Sequence, residues 1–207
     1  MDEAGVAKAA IVHSSTTYGF DNSYVVDGCK QYKDRLVAVG SVDMLADDVP
    51  AVIKSWVDKG LAGLRIFTGG STKDFDPSEL DNPKSFKAWE MLAELKLPMC
   101  IQTGPTGLPY VRMLAEKFPG VNIILDHLGR PDVLDGPPYA NAAGLFALAD
   151  VSNIYLKLTP RIFGDVERTR PAPRPSSLES SKHSARSAWP GAPISPPRPA
   201  PSRKFWR

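Results

Sequence analysis

Between residues 9 and 158, apolar runs of strand length alternate with segments of helical period about six times, and Gly, Pro, Asn or Asp stands at the breaks. The spacing predicts strands over 9–13 (AAIVH), 36–42 (LVAVGSV), 61–67 (LAGLRIF), 98–102 (PMCIQ), 121–127 (VNIILDH) and 154–158 (IYLKL). Between them it predicts helices over 22–33, from Asp48 through Val57, over 85–95, 108–118 and 140–149. Strands that are apolar at nearly every position are buried on both faces, and alternation with helices makes their sheet parallel. No Gly-x-Gly-x-x-Gly or phosphate loop opens any helix, as a nucleotide-binding open sheet usually shows. The predicted fold is therefore α/β, of (β/α)8 TIM-barrel type, incomplete at about six units.

Composition bounds the rest. A chain of 207 residues with 43% hydrophobic content can bury one sizeable core. The formal charge of +2 hides a split, because the segment from Asp165 onward holds nine Lys/Arg against three Asp/Glu and nine of the twenty prolines. Such a segment cannot bury enough apolar surface to continue the fold. Residues 1–164 are thus expected to form a partial barrel domain, and 165–207 a disordered, basic Pro/Ser/Arg-rich tail. Its composition also matches an out-of-frame translation of a GC-rich gene. Prolines without interleaved aromatics or an amphipathic period argue against nucleic-acid or membrane partners. The start carries no signal-like stretch, so a cytoplasmic location is expected. Cys29 and Cys100 lie far apart in apolar segments, as buried thiols do.

In a parallel barrel the chemistry sits at the carboxyl ends of the strands, and side chains alternate faces along each strand. Pairing Ile11 with His13, Gly63 with Arg65, Cys100 with Gln102, Leu125 with His127 and Tyr155 with Lys157 places five polar tips at one mouth. A lone histidine or cation at a strand end is more often structural than catalytic. Convergence changes that reading, because clustered cations repel unless an anion joins them. A substrate carboxylate or a developing oxyanion supplies that charge. In the segment 125–131 (LDHLGRP), His127 ends an apolar strand and a Gly turn lets Arg130 reach back over the mouth. Asn22 and Asp43 are as suited to bracing loops as to touching substrate.

These residues resemble the amidohydrolase-related family of barrel hydrolases, in the branch near 2-pyrone-4,6-dicarboxylate lactonases and sugar lactonases. The resemblance spans roughly residues 3–164 and rests on 18–22 (YGFDN), 63–67 (GLRIF), Ile101-Gln102 and 126–131 (DHLGRP). It implies that His127 polarises a substrate carbonyl or holds a metal, that strand-end arginines bind carboxylates, and that an aspartate on the last strand activates water. The family's first-strand His-x-His pair would precede Met1, and its last-strand Trp-Gly-Ser-Asp-like motif does not follow Gly164. Gln102 stands where zinc-binding relatives carry a histidine, which favours the lactonase-like branch. The resemblance allows a divalent metal such as zinc in the full-length family without requiring one; His13 and His127 without carboxylate or thiolate neighbours make a poor site, and neither is expected to be a metal ligand.

The reading that follows is a hydrolase of a lactone, ester or amide of a small carboxylated molecule. His127 would be catalytic, Arg65 and Arg130 would hold carboxylates, and His13, Gln102, Lys157 and Asn22 would line the substrate pocket. Two alternatives compete: a zinc-dependent decarboxylase of the aminocarboxymuconate-semialdehyde type, and an inactive incomplete barrel with open sheet edges. Oligomeric state is not legible.

Overall fold

The computed structural model describes residues 1–69, 74 and 76–169. Their core is one six-stranded sheet in the order β1-β2-β3-β4-β5-β6, with every neighbouring pair parallel. The strands are β1 (Ala9–Val12), β2 (Leu36–Gly40), β3 (Leu61–Phe67), β4 (Met99–Gln102), β5 (Ile123–Leu125) and β6 (Ile154–Leu156). Sequential order with parallel pairing demands a crossover between each pair, and helices supply most of them. The sheet curls into part of a TIM-type barrel, as the alternating pattern predicts.

The helices are α1 (Ser15–Tyr18), α2 (Ser23–Lys30), α3 (Val49–Asp58), α4 (Phe86–Leu95), α5 (Leu108–Lys117), α6 (Ala143–Phe146) and α7 (Pro160–Thr169). In α5, Leu108, Val111, Leu114 and Ala115 recur at helical spacing and are all buried. In α4, Ala88, Trp89 and Leu92 do the same, and the Trp89 ring stacks on Phe118 at 5.7 Å. These helices cover Met99, Ile101, Ile123 and Leu125, which are fully buried in the same core.

Three expectations change. The helix predicted over 140–149 is a 3₁₀ turn at Ala140–Ala142 followed by the single turn of α6. Gly144 and its alanines give too little apolar face to hold a longer helix against the sheet. The strand predicted to reach His127 stops at Leu125, where the chain enters a left-handed turn. The boundary placed at 164/165 falls inside α7, which carries the helical pattern of Ile162 and Val166 past Gly164. Residues 170–207, for which a disordered or out-of-frame tail is expected, lie outside the described residues. Among the described residues, no helix is long and apolar enough to cross a membrane.

Candidate active site

The carboxyl ends of the central strands bring charged side chains together. Register places Arg65 beside Cys100, Cys100 beside Ile124, and Ile124 beside Tyr155. Paired residues of a parallel ladder share a face. On β5 that face continues from Ile124 to Asp126. Leu125 belongs to the opposite, helix-covered face with Ile101 and Ile66. The pairing of Leu125 with His127 is thus one residue out of step, because the strand ends before the alternation reaches the imidazole. Asp126 takes the inward place.

Asp126 is 1% exposed, and two strand ends reach it. Arg65 Nε donates to Asp126 Oδ2 at 2.9 Å, and Lys157 Nζ lies 3.1 Å from Oδ1. The lysine contact is an ion pair outside hydrogen-bond geometry, and Oδ1 receives no hydrogen bond among the described residues. Arg65 also donates from Nη2 to Gln102 Oε1, and Gln102 Nε2 donates to Gly69 O at 3.1 Å. Arg65 therefore links Gln102 to Asp126, and Asp126 links Arg65 to Lys157. Asp126 joins them unforeseen; the signal was an acidic residue closing an otherwise apolar strand, two positions from inward Ile124.

His127 occupies a different kind of position. His127, Leu128, Gly129 and Arg130 have φ of 55°, 57°, 68° and 52°. Consecutive left-handed residues cost roughly 1–2 kcal/mol each when they carry a Cβ, so packing must hold the turn. Leu128 and Gly129 are buried, and a Cβ on Gly129 would come within 2.6 Å of Leu108 Cδ2. The turn thereby buries its middle and brings His127 and Arg130 into one cleft of about 300 Å³, with Pro131, Thr159, Arg161 and Asp165. Burial lowers the His127 imidazole below its ordinary value of 6.5. Lys157, Arg130 and Arg65 act in the same sense, against Asp126.

A second cleft of about 280 Å³ opens over the ends of β1, β2 and β3. Arg65, Ser15, Thr16, Ser41, Asp43, Phe67 and Glu79 are among its walls. Asp43 lines it while its Oδ1 accepts from Leu45 N at 2.9 Å, the loop-bracing role. His13 is buried apart from the charged cluster, its Nε2 donating to Gly19 O at 2.9 Å and its ring 5.9 Å from Tyr18.

Asn22 is fully buried and takes the bracing role, the first of the two to which its residue type is suited. Its Nδ2 donates to Ser41 O at 2.9 Å and Phe20 O at 3.2 Å, and its Oδ1 accepts from Ser41 N at 2.9 Å. That closeness needs Gly40, where a Cβ would lie 2.4 Å from Asn22 Oδ1.

The donor set does not fit a divalent cation. Both oxygens of Asp126 already face cations, His127 shares its cleft with two arginines, and His13 bonds a carbonyl elsewhere. Among the described residues no group of three His, Cys, Asp or Glu is placed to hold a metal.

A partial parallel barrel with charged residues at its strand ends is the frame of a barrel enzyme class. The sequence model of the family described as Amidohydrolase matches residues 1–182, and the chain belongs to that family. An L-fucono-1,5-lactonase of Burkholderia ambifaria is 26% identical over 160 residues, covering 77% of this chain and 54% of that protein. A 2-pyrone-4,6-dicarboxylate hydrolase of Comamonas testosteroni is 27% identical over 135 residues, covering 65% and 42%. The chain thus spans about half the length of the curated relatives it matches. A probable 2-pyrone-4,6-dicarboxylic acid hydrolase of Acinetobacter baumannii, solved with citric acid bound, shares the fold at TM-score 0.66 and 19% identity, over 81% of this chain and 63% of that one. A Burkholderia multivorans amidohydrolase with bound zinc does so at TM-score 0.62 and 16% identity, over 76% and 55%.

Proposed function

We propose that this chain supplies the carboxylate-binding strand ends of a hydrolase acting on a lactone, ester or amide of a small carboxylated molecule. The observation that carries this reading is the set of cations past the strand ends: Arg65 and Lys157 meet at Asp126, and His127 and Arg130 share a cleft. Its class is that named for the lactonase and pyrone-dicarboxylate relatives.

In this reading Arg130 and Arg65 pair with substrate carboxylates, which suits guanidinium forks. Because burial keeps the His127 imidazole neutral near pH 7, it donates a hydrogen bond to the scissile carbonyl without adding a full charge. The surrounding cations then stabilise the oxyanion that forms as the carbonyl is attacked. Gln102 holds Arg65 in line, and His13 and Asn22 hold the loops after β1 and β2. A cytoplasmic location belongs to the same reading.

The test is hydrolysis of 2-pyrone-4,6-dicarboxylate and L-fucono-1,5-lactone by the 207-residue chain, followed spectroscopically or by acid release. Turnover that falls about 10²–10⁴-fold in His127→Ala supports the assignment. Turnover unaffected by that change sinks it. Exposed Ile11 on β1 and Leu156 and Leu158 at β6 favour one second reading, in which the chain alone is an inactive partial barrel. Any turnover by the chain itself refutes that reading.

A further inference from the structure

Asp126 combines near-complete burial with two cationic neighbours from different strands, and neither pairing is local in sequence. A buried ion pair is weak evidence for stability, since desolvation offsets much of the attraction. What the arrangement supplies is direction. Arg65 is held at two points, by Asp126 Oδ2 and by Gln102 Oε1, and in that pose it lines the cleft over β1, β2 and β3. Lys157, 40% exposed, stands two residues before Thr159, which lines the cleft of His127 and Arg130. One carboxylate therefore joins a cation that lines one cleft to a cation two residues along the chain from the wall of the other.

We propose that Asp126 is a positioning residue, a single carboxylate that aims Arg65 at its cleft and pairs with Lys157 without itself touching substrate. The proposal rests on the anion-binding reading above for its ligand. Charge and position make opposite predictions here. Removing a negative charge from among cations strengthens their attraction for an anion, so a purely electrostatic role means tighter binding on neutralisation. Loss of a group that orients a binding side chain weakens affinity, by about 10–100-fold at comparable supporting positions in metal sites.

The experiment uses the full chain, with citrate as the anionic probe measured by calorimetry. The Arg65 Nε–H resonance, followed by NMR, serves as a readout that needs no ligand. The wild-type chain is expected to show an exchange-protected Arg65 Nε–H. In Asp126→Asn that protection is lost and the citrate Kd rises about 10-fold or more, while Asp126→Glu recovers part of the affinity. Absence of a protected Arg65 Nε–H in the wild type overturns the proposal, and so does an Asp126→Asn variant that keeps the signal and binds citrate as tightly or more tightly. A wild type that shows the protected signal yet binds no citrate counts against the functional reading, and the signal in Asp126→Asn then decides the positioning role by itself. If Asp126→Asn does not fold, Asp126→Glu keeps the charge and moves it by one methylene. Weaker citrate binding with a shifted Arg65 signal then supports positioning, and wild-type values for both overturn it.

Discussion

The middle of the sheet and its two edges are written in the same apolar alphabet, yet they end in opposite surroundings. Met99, Ile101, Ile123 and Leu125 on β4 and β5 are fully buried, whereas Ile11 on β1 and Leu156 on β6 are substantially exposed and Leu158 beyond it is 64% exposed. An apolar strand is buried by what lies beside it, not by its own composition. β4 has a strand on each side and helices packed against its outer face; β1 and β6 each pair with one neighbour among the described residues. Unpaired apolar edges of this kind are sites of chain association.

The sharpest way to break this contrast is to remove bulk from its centre. Trp89→Ala takes away a fully buried ring stacked on Phe118 and is expected to destabilise by about 3–5 kcal/mol, read by urea or guanidinium unfolding. Leu125→Ala, on the helix-covered face of β5, is expected to cost about 2–5 kcal/mol by the same measurement. If either falls within 0.5 kcal/mol of wild type, roughly the range of a surface change, the described core is not the one that holds the chain.

A smaller effect comes from pH. His127 titrates lower when folded than when unfolded, so below the ordinary histidine value the unfolded chain binds more protons. Its contribution is intact above about pH 6.5 and declines as pH falls from there through the depressed folded value. His127→Gln should flatten that part of the stability profile, and an unchanged slope would place the ring in open solvent.

Thiol chemistry separates interior from periphery more finely. Burial pushes the Cys100 thiol up to about 11, with the charge of Asp126 adding to the rise, and burial also raises Cys29. Under native conditions at pH 8 a thiol reagent should label Cys29 on α2 before Cys100 on β4, with both reacting once the chain is unfolded. The smallest effect belongs to the edge. Leu156→Ala should change stability by less than about 0.5 kcal/mol, while Leu156→Lys should reduce self-association at high concentration, measured by light scattering.

The sequence made the architecture legible because the repeating unit is long and continuous apolar runs alternate cleanly with stretches of 3.6-residue period. All six strands and their parallel sense appear where the apolar runs predict them. Arg65, Gln102 and Lys157 were also legible, since each lies at or just past a strand end whose alternation holds. Asp126 and the true setting of His127 were not. The run VNIILDH gives no mark of where extended backbone yields to left-handed turn, and one residue of error exchanges the two side chains. Asn22 shows a different limit. Its amide is committed to Ser41, nineteen positions away, and only the fold brings that backbone within reach.

The left-handed turn after β5 also restricts which changes the protein can accept there. Because its winding is opposite to that of an ordinary helix, a β-branched residue at 127, 128 or 130 would drive the chain back toward right-handed geometry. Imidazole and guanidinium would then leave their shared cleft together, so the two groups stand or fall as a unit under local substitution. Glycine at 128 is the revealing exception: it eases the backbone while removing the buried leucine, and so separates the cost of handedness from the contribution of the plug.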